Sequence, residues 1–366
     1  MEPIQVGLAG FGLAGKVFHA PFISAVPGLV LSSVLQRTGD TAATSYPTVQ
    51  TLRTLSDLLS SRVSLIVVAT PNATHYEIAK AALLAGKHVV VDKPAASTSA
   101  EAEELKSIAA SAGLIFAPFH NRRWDGDFLT VKKLIEGGPL GRVVSMESHF
   151  DRFRPLQRLG SWKESGGDEN SLLMDLGPHL IDQALALFGR PHGVWASLRK
   201  DRDVTAIEDA FDVFLHFEQH DRPITVTLRS TMIAAEPSPR FLVHGTHGSF
   251  RKFGVDPQEP ALLAGASVPR IAENDTTDSW LQEDEAAWGT LALAADPAQP
   301  SQIHRSPIKT ERSDYRGFYR NVRDAILGNA PLTVSPQDAI RTLRIIEMAR
   351  QSSLTGNTVL TEGATW

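Results

Sequence analysis

Three residues near the middle of the chain have the types and spacing of a proton-transfer site. Asp175, His179 and Asp182 stand at positions i, i+4 and i+7, so a helix that includes all three carries them on one face. A histidine held by a carboxylate can act as general base for an alcohol proton. Two alternatives stay open at this point: Asp175 caps a helix that Pro178 begins, or the three side chains hold a divalent metal.

A lysine earlier in the chain is a second candidate for chemistry. Lys93 comes just after an apolar strand, with Asp92 between them, and precedes Pro94, so its ammonium group can point into a cleft, where burial makes a lysine pKa movable. The alternative is an exposed lysine on a loop. Two further segments also follow predicted strands, at the edge where doubly wound sheets bind their ligands: Thr70-Pro71-Asn72-Ala73-Thr74-His75 and His120-Asn121-Arg122-Arg123-Trp124.

Glycines near the start of the chain predict the element that must position these groups. Gly10, Gly12 and Gly15 form G-x-G-x-x-G, with Phe11 and Leu13 between them, after the apolar run that begins at Ile4. In such a loop the first glycine permits a tight turn, the second lets a pyrophosphate approach the backbone, and the third allows close packing of helix and strand. The pattern predicts a dinucleotide-binding site.

The end of the second predicted strand indicates which dinucleotide is bound. An acid is expected there to bind the ribose 2′-hydroxyl, but Gln36 and Arg37 occupy the position, followed by Thr38. A guanidinium binds a 2′-phosphate bidentately, whereas an acid repels it, so NADP is predicted, with NAD as the alternative. Asp40 is the competing candidate for a ribose contact, and a solvated surface arginine is the competing interpretation of Arg37.

Alternating apolar strands and helices predict that residues 1–121 form a Rossmann dinucleotide-binding domain with a parallel sheet. One of its helices is predicted to begin with a capping box at Thr98 and Glu101. From residue 122 to residue 366 period-2 segments dominate, which predicts an α+β domain with an open, mostly antiparallel sheet for substrate binding and oligomerisation. The stretch from Pro257 to Pro307 is predicted to be a long loop or a short helical insertion.

Composition excludes several classes of protein. The chain has 366 residues, and 36 basic against 41 acidic side chains leave a net charge of −5, so no nucleic-acid partner is expected. It contains no cysteine, which rules out thiolate and iron–sulfur chemistry and suits the cytoplasm. No apolar run approaches the ~20 residues of a membrane span, so no membrane partner is expected.

Taken together, these motifs resemble those of the Gfo/Idh/MocA oxidoreductase family. The family's Glu-Lys-Pro motif corresponds to Asp92-Lys93-Pro94, its G-G-x(n)-D-x-x-x-H pattern to Gly166, Gly167, Asp175 and His179, and its Thr-Pro-Asn to residues 70–72. Aspartate in place of glutamate at position 92 is a departure from the family pattern. Within the family, the chain looks most like the subgroup that contains NADP-dependent scyllo-inositol dehydrogenases, which also has an arginine after the second strand.

The resemblance implies hydride transfer between a nicotinamide and a cyclic polyol or sugar. We expect His179 to take the hydroxyl proton, Asp175 to orient the imidazole and Lys93 to bind the reacting oxygen, with no metal. Arg122 and Arg154 are predicted to contact substrate hydroxyls together with Asp175 and His179. The predicted cofactor-binding residues are Gly10, Phe11, Gly12, Leu13, Gly15, Arg37, Thr38, Thr70, Pro71, Asn72, His75, Asp92, Lys93 and Trp162.

The resemblance also implies that Trp162 and Lys163 reach the cofactor, and that subunits pair through their open sheets as a homodimer or homotetramer. Two rival functions remain at this point. One is a nicotinamide-binding regulatory protein without turnover, and the other is a glycosidase of the same family that uses tightly held NAD. Lys93, Asp175 and His179 together argue against the regulatory protein.

Overall fold

Two sheets organise the part of the chain that the computed structural model describes, which is residues 2–158, 164, 166–219, 221–271, 280–296, 298, 302–363 and 366. The first sheet has six strands in the order β3-β2-β1-β4-β5-β6, and every pair in it is parallel. Its strands are β1 Ile4–Ala9, β2 Leu29–Leu35, β3 Gln50–Leu52, β4 Leu65–Val68, β5 His88–Val91 and β6 Phe116–Pro118. The predicted Rossmann fold is confirmed.

Short helices connect these strands, as the crossovers of a parallel sheet require. They are α1 Ala20–Ala25, α2 Thr41–Ser45, α3 Leu55–Ser60, α4 His75–Leu84 and α5 Ser99–Ser111. The predicted capping box of α5 is present, because Thr98 Oγ1 accepts from Glu101 N at 3.2 Å and Glu101 Oε2 accepts from Thr98 N at 3.1 Å. All six strands are parallel, so the loops that follow them meet at one edge of the sheet.

The second sheet has nine strands within the described residues, in the order β14-β13-β12-β11-β7-β10-β9-β8-β15. All its pairs are antiparallel except β7 with β10. Its strands are β7 Val143–His149, β8 Gly193–Arg199, β9 Ala210–Gln219, β10 Arg222–Thr231, β11 Phe241–Gly245, β12 Gly248–Lys252, β13 Gly289–Ala294, β14 Ile303–Ile308 and β15 Val359–Leu360. The remaining helices are α6 Gly126–Gly137, α7 Leu172–Phe188, α8 Gln258–Leu263, α9 Arg316–Ile326 and α10 Pro336–Thr355.

The chain divides into two compact units, and neither is one continuous stretch. The first unit comprises Met1–Trp124, Gln258–Leu281 and Asp314–Arg341, and the second comprises Asp125–Pro257, Gln282–Ser313 and Thr342–Trp366. The sequence predicted a single boundary after residue 121. The structure differs, because two later segments of the chain, 258–281 and 314–341, belong to the Rossmann unit. Both segments add apolar side chains to the core that contains Phe22 and Ile23 of α1. The first contributes Leu262 and Ile271, and the second contributes Phe318 and Tyr319 of α9.

The prediction that residues 257–307 form a long loop or a short helical insertion is wrong in part. It contains α8, but it also contains β13 and β14, which extend the second sheet at its edge. The signal in the sequence was weak because β14 is an edge strand with mostly exposed side chains, and it carries Pro307, which only an edge tolerates. No helix among the described residues has the length and apolarity needed to cross a membrane.

Candidate active site

The glycine-rich loop has the geometry that a dinucleotide requires. Gly10 follows β1 with φ of +98°, and a Cβ there would lie 2.6 Å from the carbonyl oxygen of Ala69. A Cβ on Gly15 would collide with the carbonyl oxygen of Gly10, so this position also has to be glycine. Gly12, in contrast, faces open space, with nothing within 4 Å of a Cβ built on it. The backbone is therefore accessible at Gly12 and tightly packed on both sides of it.

Phe11 and Leu13 flank this open glycine. Leu13 is exposed, and Phe11 is half-buried, with its ring edge-on to Tyr46 at a centroid distance of 6.2 Å. The helix after the loop begins with a π-helical turn at Gly15–His19, before α1 continues it. Lys16 N donates to Gly12 O at 2.9 Å, which anchors the loop on that turn.

The loop after β2 presents Arg37 and Thr38 to solvent at the ligand edge of the sheet. Among the described residues, the Arg37 guanidinium has no hydrogen-bond or ion-pair partner. Asp40, the competing candidate for a ribose contact, is already paired, since Arg53 Nη2 lies 2.6 Å from its Oδ1. The side chain on this loop that is available to a ligand is therefore a cation.

The loops after β4 and β5 are tied together by His75. Its Nδ1 lies 2.7 Å from the carbonyl oxygen of Pro94, and its Nε2 lies 2.8 Å from the carbonyl oxygen of Thr70. The sequence predicted His75 as a cofactor contact, but the ring is buried and both of its nitrogens are engaged by the backbone. We therefore assign it a positioning role. Thr70, Pro71 and Asn72 lie in the loop that His75 holds, and all three are at least partly exposed.

The carboxylate of Asp92 contacts the backbone of Lys93 and the side chain of His19. Its Oδ1 accepts the backbone N–H of Lys93 at 2.7 Å, and its Oδ2 lies 3.5 Å from Nε2 of His19. Burial alone would raise the pKa of Asp92, but His19 opposes this, together with the charges of Lys93 and His75, and lowers the pKa to about 2. The carboxylate thus fixes the backbone from which the half-buried Lys93 side chain extends.

His19 and Tyr319 complete this buried group, and neither was predicted as a site residue from the sequence. His19 Nδ1 lies 2.6 Å from the hydroxyl of Tyr319, and burial raises the pKa of that tyrosine well above its usual value. His19 follows the glycine loop by four residues, which was the available signal. Tyr319 is 300 residues away in the chain, and only the packing of α9 brings it to the sheet.

In the second unit, α7 carries the predicted proton-transfer residues. The helix begins at Leu172 with Ser171 as its cap, whose Oγ accepts from Met174 N at 3.3 Å. The alternative in which Asp175 caps a helix that begins at Pro178 is therefore wrong. Helical geometry includes Asp175, His179 and Asp182, so they share one face of α7. His179 is 5% exposed, and Asp175 is half-buried.

Arg152 stands beside Asp175 and was not predicted. Its Nη1 lies 3.4 Å from Oδ2 of Asp175, and its guanidinium lies 5.6 Å from the centre of the Phe150 ring. Arg154 is two residues further along the same irregular extension of β7. Burial lowers the pKa of Arg154, and the neighbouring charges of Arg152 and Arg158 lower it further. The positively charged side chains of Arg152 and Arg154 thus lie beside the face of α7 that carries Asp175.

The other predicted substrate residue is already engaged. Arg122 is buried, and it forms an ion pair with Glu259 inside the first unit, which indicates a positioning role. Trp162 and Lys163 lie outside the described residues. No group of three or more histidines and carboxylates suited to a metal ion occurs in the part of the chain that is described.

Family models match both parts of the chain. The model described as "Oxidoreductase family, NAD-binding Rossmann fold" matches residues 4–120, and the model described as "Oxidoreductase family, C-terminal alpha/beta domain" matches residues 132–361. The chain belongs to the Gfo/Idh/MocA oxidoreductase family. It is accordingly an oxidoreductase with an NAD(P)-binding Rossmann domain.

Relatives are similar over almost the whole length. The chain is 39% identical to the "Uncharacterized oxidoreductase YdgJ" of Escherichia coli (96% of this chain, 97% of the relative). It is 33% identical to the "scyllo-inositol 2-dehydrogenase (NADP(+)) IolW" of Bacillus subtilis (99% and 97%). Among solved structures, the YPO2259 putative oxidoreductase from Yersinia pestis is 40% identical with a TM-score of 0.88, covering 100% of this chain and 99% of that one.

Proposed function

We propose that this oxidoreductase is an NADP(H)-dependent dehydrogenase or reductase that acts on a hydroxyl carbon of a cyclic polyol or sugar, as inositol dehydrogenases do. The observation that carries the proposal is the common face of α7, where Asp175 lies one helical turn before the buried His179. A relative named as an NADP-dependent scyllo-inositol 2-dehydrogenase, similar along nearly the whole chain, supports the same substrate class.

The residues of the first unit fit a dinucleotide with a 2′-phosphate. Gly12 leaves room for a pyrophosphate at the backbone, and Arg37 offers a guanidinium that pairs with no other described residue. Asp40, the acid that would select a free 2′-hydroxyl, is held by Arg53. NADP(H) is therefore the proposed cofactor. When bound, the nicotinamide accepts or supplies the hydride.

The chain's own residues then handle the proton and the developing charge. In the oxidative direction His179 accepts the proton of the substrate hydroxyl, and in the reductive direction it returns that proton. Asp175 holds the imidazole in position. Lys93 donates a hydrogen bond to the reacting oxygen and stabilises its negative charge. Asp92 contributes by fixing the backbone of Lys93, as the 2.7 Å hydrogen bond between them indicates.

One experiment separates this proposal from its two rivals. The protein is mixed with NADP or NAD and a panel of polyols, sugars and glycosides that includes scyllo-inositol, the nicotinamide absorbance at 340 nm is followed, and the products are analysed for glycoside cleavage. Net reduction of NADP with at least one polyol is the expected result. A glycosidase would cleave glycosides in the panel without net change in cofactor, and a regulatory protein would bind the cofactor without turnover; either outcome overturns the proposal.

A further inference from the structure

Arg53 is placed to organise the loop that follows β2. The parallel register pairs Leu35 at the end of β2 with Leu52 at the end of β3, so Gln36 and Arg53 leave the sheet side by side. Arg53 Nη1 donates to the carbonyl oxygens of Gln36 at 2.8 Å and of Gly39 at 2.6 Å. One guanidinium therefore spans the loop that contains Arg37 and Thr38.

The same guanidinium also neutralises the loop's acid. Arg53 Nη2 donates to Oδ1 of Asp40 at 2.6 Å, and the two side chains are 46% and 70% exposed. An ion pair this exposed adds little to the stability of the fold. Its consequence is electrostatic and local, because without Arg53 the carboxylate of Asp40 would stand uncompensated within three residues of Arg37.

The rest of the loop is preorganised by Gln36. Its Nε2 donates to the carbonyl oxygen of Thr38 at 2.9 Å and to Oγ1 of Thr41 at 3.0 Å, and its Oε1 accepts from the backbone of Ala42 at 3.0 Å. Arg53 and Gln36 together bond the loop from both sides, while Arg37 is left unpaired among the described residues. A fixed loop loses little conformational entropy when it binds a ligand.

We propose that Arg53 is a specificity-determining positioning residue for the cofactor, which withdraws Asp40 from the ribose site and thereby makes the loop selective for a 2′-phosphate. This inference rests on the proposed use of NADP(H). With Arg53, the charges of Arg37, Arg53 and Asp40 give the loop a surplus of one positive charge. Without it the sum is zero, and a carboxylate is released that can accept a hydrogen bond from a free 2′-hydroxyl.

The test is a double-mutant cycle on cofactor binding. Dissociation constants for NADPH and NADH are measured by calorimetry on the full-length protein, for wild type, Arg53→Met, Asp40→Asn and the double variant. We expect Arg53→Met to weaken NADPH binding about ten- to a hundredfold, with no loss for NADH, because the released carboxylate of Asp40 then repels the 2′-phosphate and competes with it for the charge-assisted contact with Arg37. Asp40→Asn in the Arg53→Met background should restore most of the NADPH affinity, because the released carboxylate is then gone.

Two further variants guard against a trivial result. Arg62→Met removes an exposed arginine just before β4, at the opposite edge of the sheet, and should leave both dissociation constants unchanged. Arg53→Lys keeps the charge but loses the forked geometry, so an intermediate preference is expected. The ratio of the NADPH and NADH constants is the decisive readout, because general loosening of the domain would weaken both cofactors together.

The possible outcomes distinguish a failure of this inference from a failure of the proposed use of NADP(H), on which the inference rests. If wild type prefers NADPH and Arg53→Met keeps the same ratio, the role of Arg53 is refuted while the proposed cofactor stands. If the ratio falls but Asp40→Asn restores nothing, withdrawal of Asp40 is refuted. If wild type itself does not prefer NADPH, the proposed cofactor is wrong, and the inference about Arg53 fails with it.

Discussion

The guanidinium of Arg152 lies 3.4 Å from the carboxylate of Asp175, one helical turn before His179 on the same face of α7. Asp175 therefore has a cation beside it, and in the proposed mechanism its carboxylate is the partner of the His179 imidazole. From the sequence, Arg154 was predicted to contact the substrate together with Asp175 and His179. It lies two residues after Arg152. The structure adds Arg152 as the arginine in direct contact with Asp175.

Arg152→Met is expected to lower kcat roughly tenfold, because Asp175 loses a charge-assisted hydrogen bond that is worth about 1.5–3 kcal/mol when it is well formed. NADPH affinity, measured by calorimetry, should be unchanged. Arg152→Lys serves as the matched control, since it keeps the charge and should recover part of the rate. An unchanged kcat in Arg152→Met would show that Asp175 does not depend on this contact.

His179→Ala is expected to lower kcat by roughly 10²–10⁴-fold, the usual contribution of a positioned general base. NADPH affinity should change little, because the glycine loop and Arg37 belong to the other unit. Asp175→Asn should have a smaller effect, since the imidazole remains and only its orientation suffers. A substrate deuterium isotope effect checks that chemistry limits the rate. Near wild-type turnover of His179→Ala under that condition would make Lys93 the leading proton acceptor.

Local sequence signals predicted those parts of the molecule that local physics determines. The glycine loop, the capping box at Thr98 and Glu101, and the helical spacing of Asp175 and His179 depend on residues a few positions apart, and each was readable in advance. Ser171, four residues before Asp175, shows the limit of such signals. Pro178 suggested that the helix begins later, but an N-cap serine three residues before the amide it binds decided the start.

Contacts between distant residues could not be predicted in the same way. Tyr319 reaches His19 because α9 packs on α1, and the pairing of Arg53 with Asp40 depends on the register of β2 and β3. Neither relationship leaves a periodic pattern in a single sequence. Arg152 was overlooked because nothing in its spacing distinguishes it from Arg154, and only the backbone path after β7 places it against Asp175.

Arg37→Glu is expected to weaken NADPH binding roughly ten- to a hundredfold, since a charge-assisted pair with the 2′-phosphate is replaced by repulsion. NADH binding should change much less. Arg62→Glu makes the same charge change at the opposite sheet edge, and it should affect neither cofactor. Equal shifts of the NADPH and NADH dissociation constants in Arg37→Glu would remove Arg37 from the site.

Asp92→Asn is expected to destabilise the first unit by about 2 kcal/mol at pH 7, because the pKa of Asp92 lies near 2 in the folded protein instead of 3.8. A depressed folded pKa stabilises the protein above the unfolded value, and the benefit is lost as pH falls from about 4 through 2. The difference between wild type and variant, measured by denaturant unfolding, should therefore shrink below pH 4. A difference independent of pH would contradict the charge-based explanation.

Subunit pairing through the second sheet is the last prediction. Along β9, Val213 and Leu215 point to the buried side, whereas Phe214 lies on the other side, half-buried, with its ring 5.3 Å from that of Trp195. An aromatic pair on the face opposite the core is typical of a surface that another subunit covers. Light scattering at micromolar protein should give the mass of a dimer or tetramer, with the cofactor state held constant. Phe214→Glu should lower that mass, whereas Leu354→Glu, a charge placed at the exposed end of α10, should not. A monomeric mass for wild type would refute pairing through this face.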